Sequence, residues 1–258
     1  MNLFCKQFCF ILLVALLAID TIHANSDADT VIMTMTSSKF GNLKFNLRGS
    51  GPITIDWGDG TIETKRLTPG IITYSHHYSN RAHRTITIYG QNITHLTCDG
   101  CKLTSLDVSD NPVLKYLRCA RNRLTNLDVS ANTALTNLVC DNNRLTVLNL
   151  SANTALTTLH CSGNQLKSLD VKRNSSLINL ICNENQLTSL DASNTKALMF
   201  LNCRKNKLTA EALNSLFGTL NVTKEEGKIL YIRNNPGTNT CNHSIATDKH
   251  WKIDTSFM

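Results

Sequence analysis

The sequence predicts an α/β solenoid: a curved, right-handed stack of short coils with a parallel inner sheet. A β-rich cap is expected at its N-terminal end and an α/β cap at its C-terminal end. Three observations lead there. From Leu103 to Lys207 the chain repeats every 21 residues without insertion. Leucines and one small apolar residue recur at fixed places in each unit. The flanking segments break the period, one with strand-like alternation and the other with a longer unit.

Five units fill residues 103–207, among them LTNLDVSANTALTNLVCDNNR and LTVLNLSANTALTTLHCSGNQ. Each has two halves. One reads L-x-x-L-x-C-x-x-N, as in Leu114, Leu117, Cys119 and Asn122; the other reads L-x-x-L-x-V-x-x-N, as in Leu124, Leu127, Val129 and Asn132. A lone half cannot bury its leucines, whereas stacked coils bury them in one continuous core. The period and the leucine spacing match the leucine-rich repeat. Alternation in Leu-x-Cys marks a short strand with Leu and Cys inward and the middle residue outward. About six such strands are expected between Leu96 and Ile232.

Two columns of asparagine accompany the leucines: Asn122, Asn143, Asn164, Asn185 and Asn206, and Asn111, Asn132, Asn153 and Asn174. Backbone groups lose their partners where a coil turns, and a buried Asn side chain can donate and accept there. Cys98, Cys119, Cys140, Cys161, Cys182 and Cys203 form a third column, at a position that other leucine-rich repeats fill with Leu. Free cysteine packs there as a small hydrophobe. Equivalent coils single out no pair for a disulfide, and an even buried column lacks the clustered, open geometry of a metal site. Buried free thiols are the expectation.

The pattern LTxLDVSxNTALTxLxCxxN resembles the cysteine-containing repeats of internalin-J-type adhesins and is similar to many exported repeat proteins of gut and oral bacteria. The resemblance covers residues 91–258. It implies a curved solenoid with a role in surface interaction or adhesion. No wall-sorting motif follows the repeats in this sequence, so covalent wall anchoring is not expected of it.

The ends complete the division. Residues 1–24 read as a cleaved signal peptide, with Lys6, an apolar run from Phe8 to Ile19, and Ala24 at a cleavage spacing. An uncleaved anchor is the alternative. No second apolar run is long enough to span a bilayer, so a secreted or cell-surface protein without a transmembrane segment in the mature chain is expected. Residues 25–90 read as the β-rich cap, with strands VIMTMT, NLKFNL, ITIDW, IITYSHHY and RTITIYG and a turn at Asp59-Gly60. IDWGDGT with YSHHYS resembles a PKD-like β-sandwich module. Residues 91–207 hold the repeats and 208–258 the C-terminal cap. There the interval from Leu201 to Leu230 lengthens to 29 residues. That fits a helix from Ala210 to Phe217 stopped by Gly218. A short helix at His243–Lys249 and a strand at Trp251–Ile253 follow, with Cys241 buried beneath them.

No G-x-S-x-G, H-E-x-x-H or phosphate-cradling loop occurs, so no enzyme, cofactor or metal is expected. Cys98 and Cys101 form a C-x-x-C, a redox, metal or local-disulfide spacing, but Cys98 belongs to the ladder and no second pair lies nearby. His76 and His77 point to opposite faces of one strand. Asp107, Asp128, Asp170 and Asp191 recur with the coil and are expected to bond turn amides or face solvent, with calcium as the alternative. The net charge of +7 favours acidic partners. Nucleic acid is not expected, because the charge is thinly spread and no nucleic-acid motif occurs.

Binding is expected on the inner sheet. Its outward positions vary while its inward ones do not. The candidate residues are Tyr116, Arg118, Arg121, Val139, His160, Ile181, Phe200 and Tyr231, with Arg123 and Arg144 adding to a basic N-terminal half. Exposed apolar side chains gathered on one face call for a partner; scattered apolar residues on a short sheet are the ordinary alternative. The expected function is adhesion through a protein or anionic glycan on the concave face. The alternative is a structural spacer in an envelope assembly.

Overall fold

The protein is described from a computed structural model covering residues 30–254; the signal-peptide segment lies outside the described residues. Eight strands come first: β1 (Val31–Ser37), β2 (Gly41–Gly49), β3 (Gly51–Asp56), β4 (Ile62–Leu67), β5 (Ile72–Tyr78), β6 (Arg84–Gly90), β7 (Ile93–Thr97) and β8 (Leu103–Asp107). Period-two burial shapes them: Leu43, Phe45 and Leu47 are buried on β2, Ile53 and Ile55 on β3, Ile86 and Ile88 on β6. One five-stranded sheet runs β4-β3-β6-β1-β8. The strands β2, β5 and β7 belong to the other sheet, and Phe45 packs on Trp57 across the gap at 5.4 Å between ring centroids.

β4 is not foreseen by the sequence reading. Its residues IETKRL are polar and mostly exposed, and it is a strand because β3 pairs with it from Gly51↔Leu67 to Asp56↔Ile62. The turn between them needs Gly58: its φ is +74°, and a Cβ there would sit 2.4 Å from the carbonyl oxygen of Thr85.

The Leu-x-Cys segments give β9 (Tyr116–Arg118), β10 (Asn137–Val139), β11 (Thr158–His160), β12 (Asn179–Ile181), β13 (Phe200–Asn202), β14 (Ile229–Tyr231) and β15 (Lys252–Asp254). Successive members pair parallel and in register. β7 pairs parallel with β9 on one side and antiparallel with β2 on the other. One ten-stranded sheet therefore runs from the N-terminal strands to β15. Leu96, Leu117, Leu138, Leu159, Leu180, Leu201 and Leu230 are buried along it, one strand more than the six expected. The whole is a β-solenoid of about eight turns with few helices.

The cysteine-side asparagines close each turn. Asn143 donates from Nδ2 to the carbonyls of Cys119 (3.0 Å) and Cys140 (3.1 Å) and accepts at Oδ1 from the Leu124 amide (3.0 Å). Cys101 replaces Asn in the first coil, where β2 stands in place of a preceding coil. Its thiol donates to the Lys44 carbonyl at 3.0 Å. In the second column the side chains only donate. Asn153 reaches the carbonyls of Val129 and Asn132, both at 2.9 Å, while Oδ1 of Asn132, Asn153 and Asn174 is buried without a partner. The expectation that these also accept is corrected: no turn amide comes within reach.

Cys98, Cys101, Cys119, Cys140, Cys161, Cys182 and Cys203 are buried free thiols. Burial drives them away from ionisation, to about 12 for Cys203 and about 11 for Cys101. Cys241 is free but only partly buried, a correction to its expected burial, because it lies in the turn after Gly237 with one face open.

Helix α1 (Ala210–Thr219) is capped by Thr209, whose hydroxyl accepts from the Ala212 amide at 3.2 Å, and buries Leu213, Leu216 and Phe217. It passes through Gly218. The helix stops at Leu220, whose amide bonds the Phe217 carbonyl at 3.3 Å, while the Thr219 hydroxyl bonds that of Leu216 at 2.7 Å. The short helix α2 covers only Ser244–Thr247. β15 starts one residue later than expected because Trp251 turns inward and donates from Nε1 to the Asn221 carbonyl at 3.2 Å.

Candidate functional site

Parallel register builds the strand face. It aligns Tyr116, Asn137, Thr158, Asn179, Phe200 and Ile229 in one outward row, and Arg118, Val139, His160, Ile181, Asn202 and Tyr231 in another. Of the eight predicted residues, seven lie in these rows. Tyr116, Arg118, His160, Ile181 and Phe200 are half-buried. Aromatic contacts mark the two ends. His95 stacks on Tyr116 with centroids 5.6 Å apart, and Phe200 lies 5.4 Å from Tyr231.

Three expectations are corrected. Val139 is not exposed: at 4% it is buried, a short side chain in register between the longer Arg118 and His160. Tyr231 is buried too, with its ring against Phe200 and the Arg204 guanidinium 5.5 Å above its face. Arg121 is exposed but off the sheet. It occupies the turn before the ladder asparagine with φ +56°, in a left-handed column with Asn142, Gly163, Glu184 and Lys205.

The centre of the face is polar, and two of its acids escaped the sequence reading. Asp99 pairs with the Arg118 guanidinium and accepts from the Ala120 amide at 2.8 Å. Asp141 accepts from the Ser162 amide at 2.7 Å, and the Ser162 hydroxyl donates to Asn183 at 2.8 Å. Burial raises the Asp141 carboxyl above the ordinary carboxylate range, against the opposing pull of the Ser162 amide and of His160 and Arg118. Burial lowers His160, against the pull of Asp141. Nε2 of His160 and Oδ1 of Asn179 are buried with no hydrogen-bond partner. The column following each cysteine, Asp99, Ala120, Asp141 and Ser162, carried this signal in the sequence.

Elsewhere the chemistry is structural. Oδ1 of Asp107, Asp128, Asp170 and Asp191 accepts from the amide two residues on, at 2.9–3.0 Å. His76 bonds Asp59 at 2.7 Å and stacks on Trp57, whereas His77 bonds Asn42 at 2.9 Å. Among the described residues no group of three His, Cys, Asp or Glu side chains could hold a metal ion, and no helix is long and apolar enough to cross a membrane. A groove of about 570 Å³ opens where β2 meets the repeats, lined by Arg48, Pro69, Asn92, Pro112, Val113 and Lys115. None of the eight predicted residues lines it.

No protein-family model matches the chain, and no curated protein matches it. Solved structures do. The functional domain of InlJ from Listeria monocytogenes, described as including a cysteine ladder, is 42% identical with a TM-score of 0.51, over 59% of this chain and 32% of that one. An internalin, inlF, from the same organism is 20% identical with a TM-score of 0.52, over 64% of this chain and 49% of that one, and shows the fold alone. The chain thus spans about a third and about half of the lengths of these neighbours.

Proposed function

We propose that this protein is a secreted or cell-surface adhesion module that binds a protein or glycan ligand across the strand face, without catalysis. The observation that carries the reading is the composition of that face. Aromatic contacts at Tyr116 and Phe200 flank a centre in which His160 Nε2 and Asn179 Oδ1 are desolvated and unpaired. A buried polar atom without a partner costs free energy, which a ligand hydrogen bond would offset. Aromatic and Arg side chains are common interface anchors. The likeness to the functional domain of InlJ, at 42% identity, supports an interaction role. On this reading, the N-terminal strands and the C-terminal helices act as caps on the apolar ends of the stack.

Screening the purified protein on a glycan and glycoprotein array would identify the ligand class. Tyr116→Ala with Phe200→Ala should then weaken binding by about 2 kcal/mol or more with the fold intact. Asp128→Asn with Asp170→Asn should matter little. If the second pair abolishes binding and the first leaves it unchanged, the site lies on the valine side of the coil.

A further inference from the structure

Beside the strand face runs a second surface, set by the residue that follows each ladder position. In the first three coils it is Lys102, Arg123 and Arg144; in the next two it is Gln165 and Gln186, which part these three from Lys207 in the last. Backbone bonds from Arg123 to Leu103 and from Arg144 to Leu124, both 2.8 Å, hold these residues on adjacent coils. Neighbouring coils are about 5 Å apart, so three cations are stacked at that spacing. Arg121 projects from the adjoining turn, and Lys39 joins the N-terminal end by bonding the Gly100 carbonyl at 2.9 Å. Lys102, Arg121, Arg123 and Arg144 are exposed.

No carboxylate of the described residues forms an ion pair with any of these five. The nearby acids are committed elsewhere: Asp99 to Arg118, Asp107 and Asp128 to turn amides. Like charges stacked directly opposite one another are unfavourable. Glutamine in the later coils shows that the coil does not need a cation there.

We propose that this ridge binds a linear polyanion, specifically an acidic polysaccharide whose charged sugars follow the coil spacing. Exposed Thr104, Thr125 and Thr146, two residues on in each coil, place neutral hydroxyls beside the cations, suited to sugar hydroxyl groups. No aromatic ring occupies the ridge positions, so bases would find no stacking platform. Phe40, next to Lys39, is already faced by the Arg81 guanidinium at 5.9 Å. The ridge is distinct from the strand face, and the two fail separately.

The test is titration of a fluorescent heparin-derived dodecasaccharide at two salt concentrations. The variant is K102Q/R123Q/R144Q, which copies the glutamines of the later coils and so retains the fold. The control K196Q/K224Q/K252Q removes the same charge elsewhere. The ridge variant should lose about tenfold or more in affinity and much of the salt dependence, and the control about twofold or less. Tyr116→Ala with Phe200→Ala should leave this binding unchanged. Equal loss in ridge variant and control, or no loss in the ridge variant, would overturn the site. An oligothymidylate of equal charge binding more tightly through the same ridge would overturn the polysaccharide assignment.

Discussion

The two halves of each coil share nearly one consensus and fold differently. The cysteine half makes a strand paired on both sides, and its Asn satisfies carbonyls and an amide at once. The valine half buries its leucines equally well, at Leu124 and Leu145, yet forms no strand from coil two onward, and its Asn leaves Oδ1 unpaired. The first coil isolates the reason. Its LTSLD is a strand because β1 runs antiparallel beside it, from Thr34↔Asp107 to Ser37↔Leu103. The consensus dictates which side chains go in; an available backbone edge dictates whether a strand results.

The largest expected difference lies between the asparagine columns. Asn143→Ala strands the Leu124 amide, while the Cys119 and Cys140 carbonyls each keep one donor, from Asn122 and Asn164, and it should cost about 2–3 kcal/mol. Asn153→Ala strands no group, because the Val129 and Asn132 carbonyls keep the Asn132 and Leu135 amides, and it deletes an oxygen already unpaired, so it should cost about 1 kcal/mol. Urea unfolding of both variants checks the order. Equal midpoint shifts would mean that the unpaired oxygen is satisfied by buried water.

Next comes the inward column. Cys161→Ser puts a hydroxyl where a thiol is fully buried, and should cost about 1–3 kcal/mol. Thiol titration should find Cys241 as the fast-reacting group of residues 30–254 in the native protein, and all eight of their thiols after denaturation. Three or four disulfides instead would break the equivalence of the coils.

A finer contrast separates β8 from its counterparts. The amides of the first-coil strand β8 should exchange more slowly than those of the second-coil segment Leu124–Asp128, which has no paired edge. Equal protection would show that stacking alone suffices.

Much of this was legible. Period 21 put every Leu and every ladder Cys inside, because a one-residue slip would expose them all. What escaped depends on neighbours. β4 is made by β3, not by its own polar residues. The buried Val139 lies in register between Arg118 and His160, which sit 21 residues away on either side. The left-handed column shows itself at Gly100 and Gly163 but is hidden at Arg121, Glu184 and Lys205. On the strand face, Tyr116, Arg118 and Phe200 were readable as outward positions, whereas Asp141 matters only because folding sets it beside Ser162 and His160.

The smallest effect is also the most local, and it opposes two aspartates. Asp128, in a valine half, is lowered from 3.8 by hydrogen bonds from the Ser130 side chain and amide, with only slight burial against it. Asp141, in a cysteine half, is raised from 3.8 by burial that its own amide bond does not offset. The signs follow by linkage. The stabilisation from Asp128 is present above pH 3.8 and is lost as pH falls through its lower folded value. Asp141 runs the other way: the cost of burying its carboxylate is present above its folded value and is relieved as pH falls towards 3.8. Asp141→Asn keeps a side-chain oxygen for the Ser162 amide and removes the charge. Its Tm should match or exceed wild type at pH 7, and the margin should shrink on acidification. Asp128→Asn should show a deficit at pH 7 that closes only below its folded pKa. Carboxyl chemical shifts place the two midpoints directly, and Asp128 titrating above Asp141 would refute the contrast between the halves.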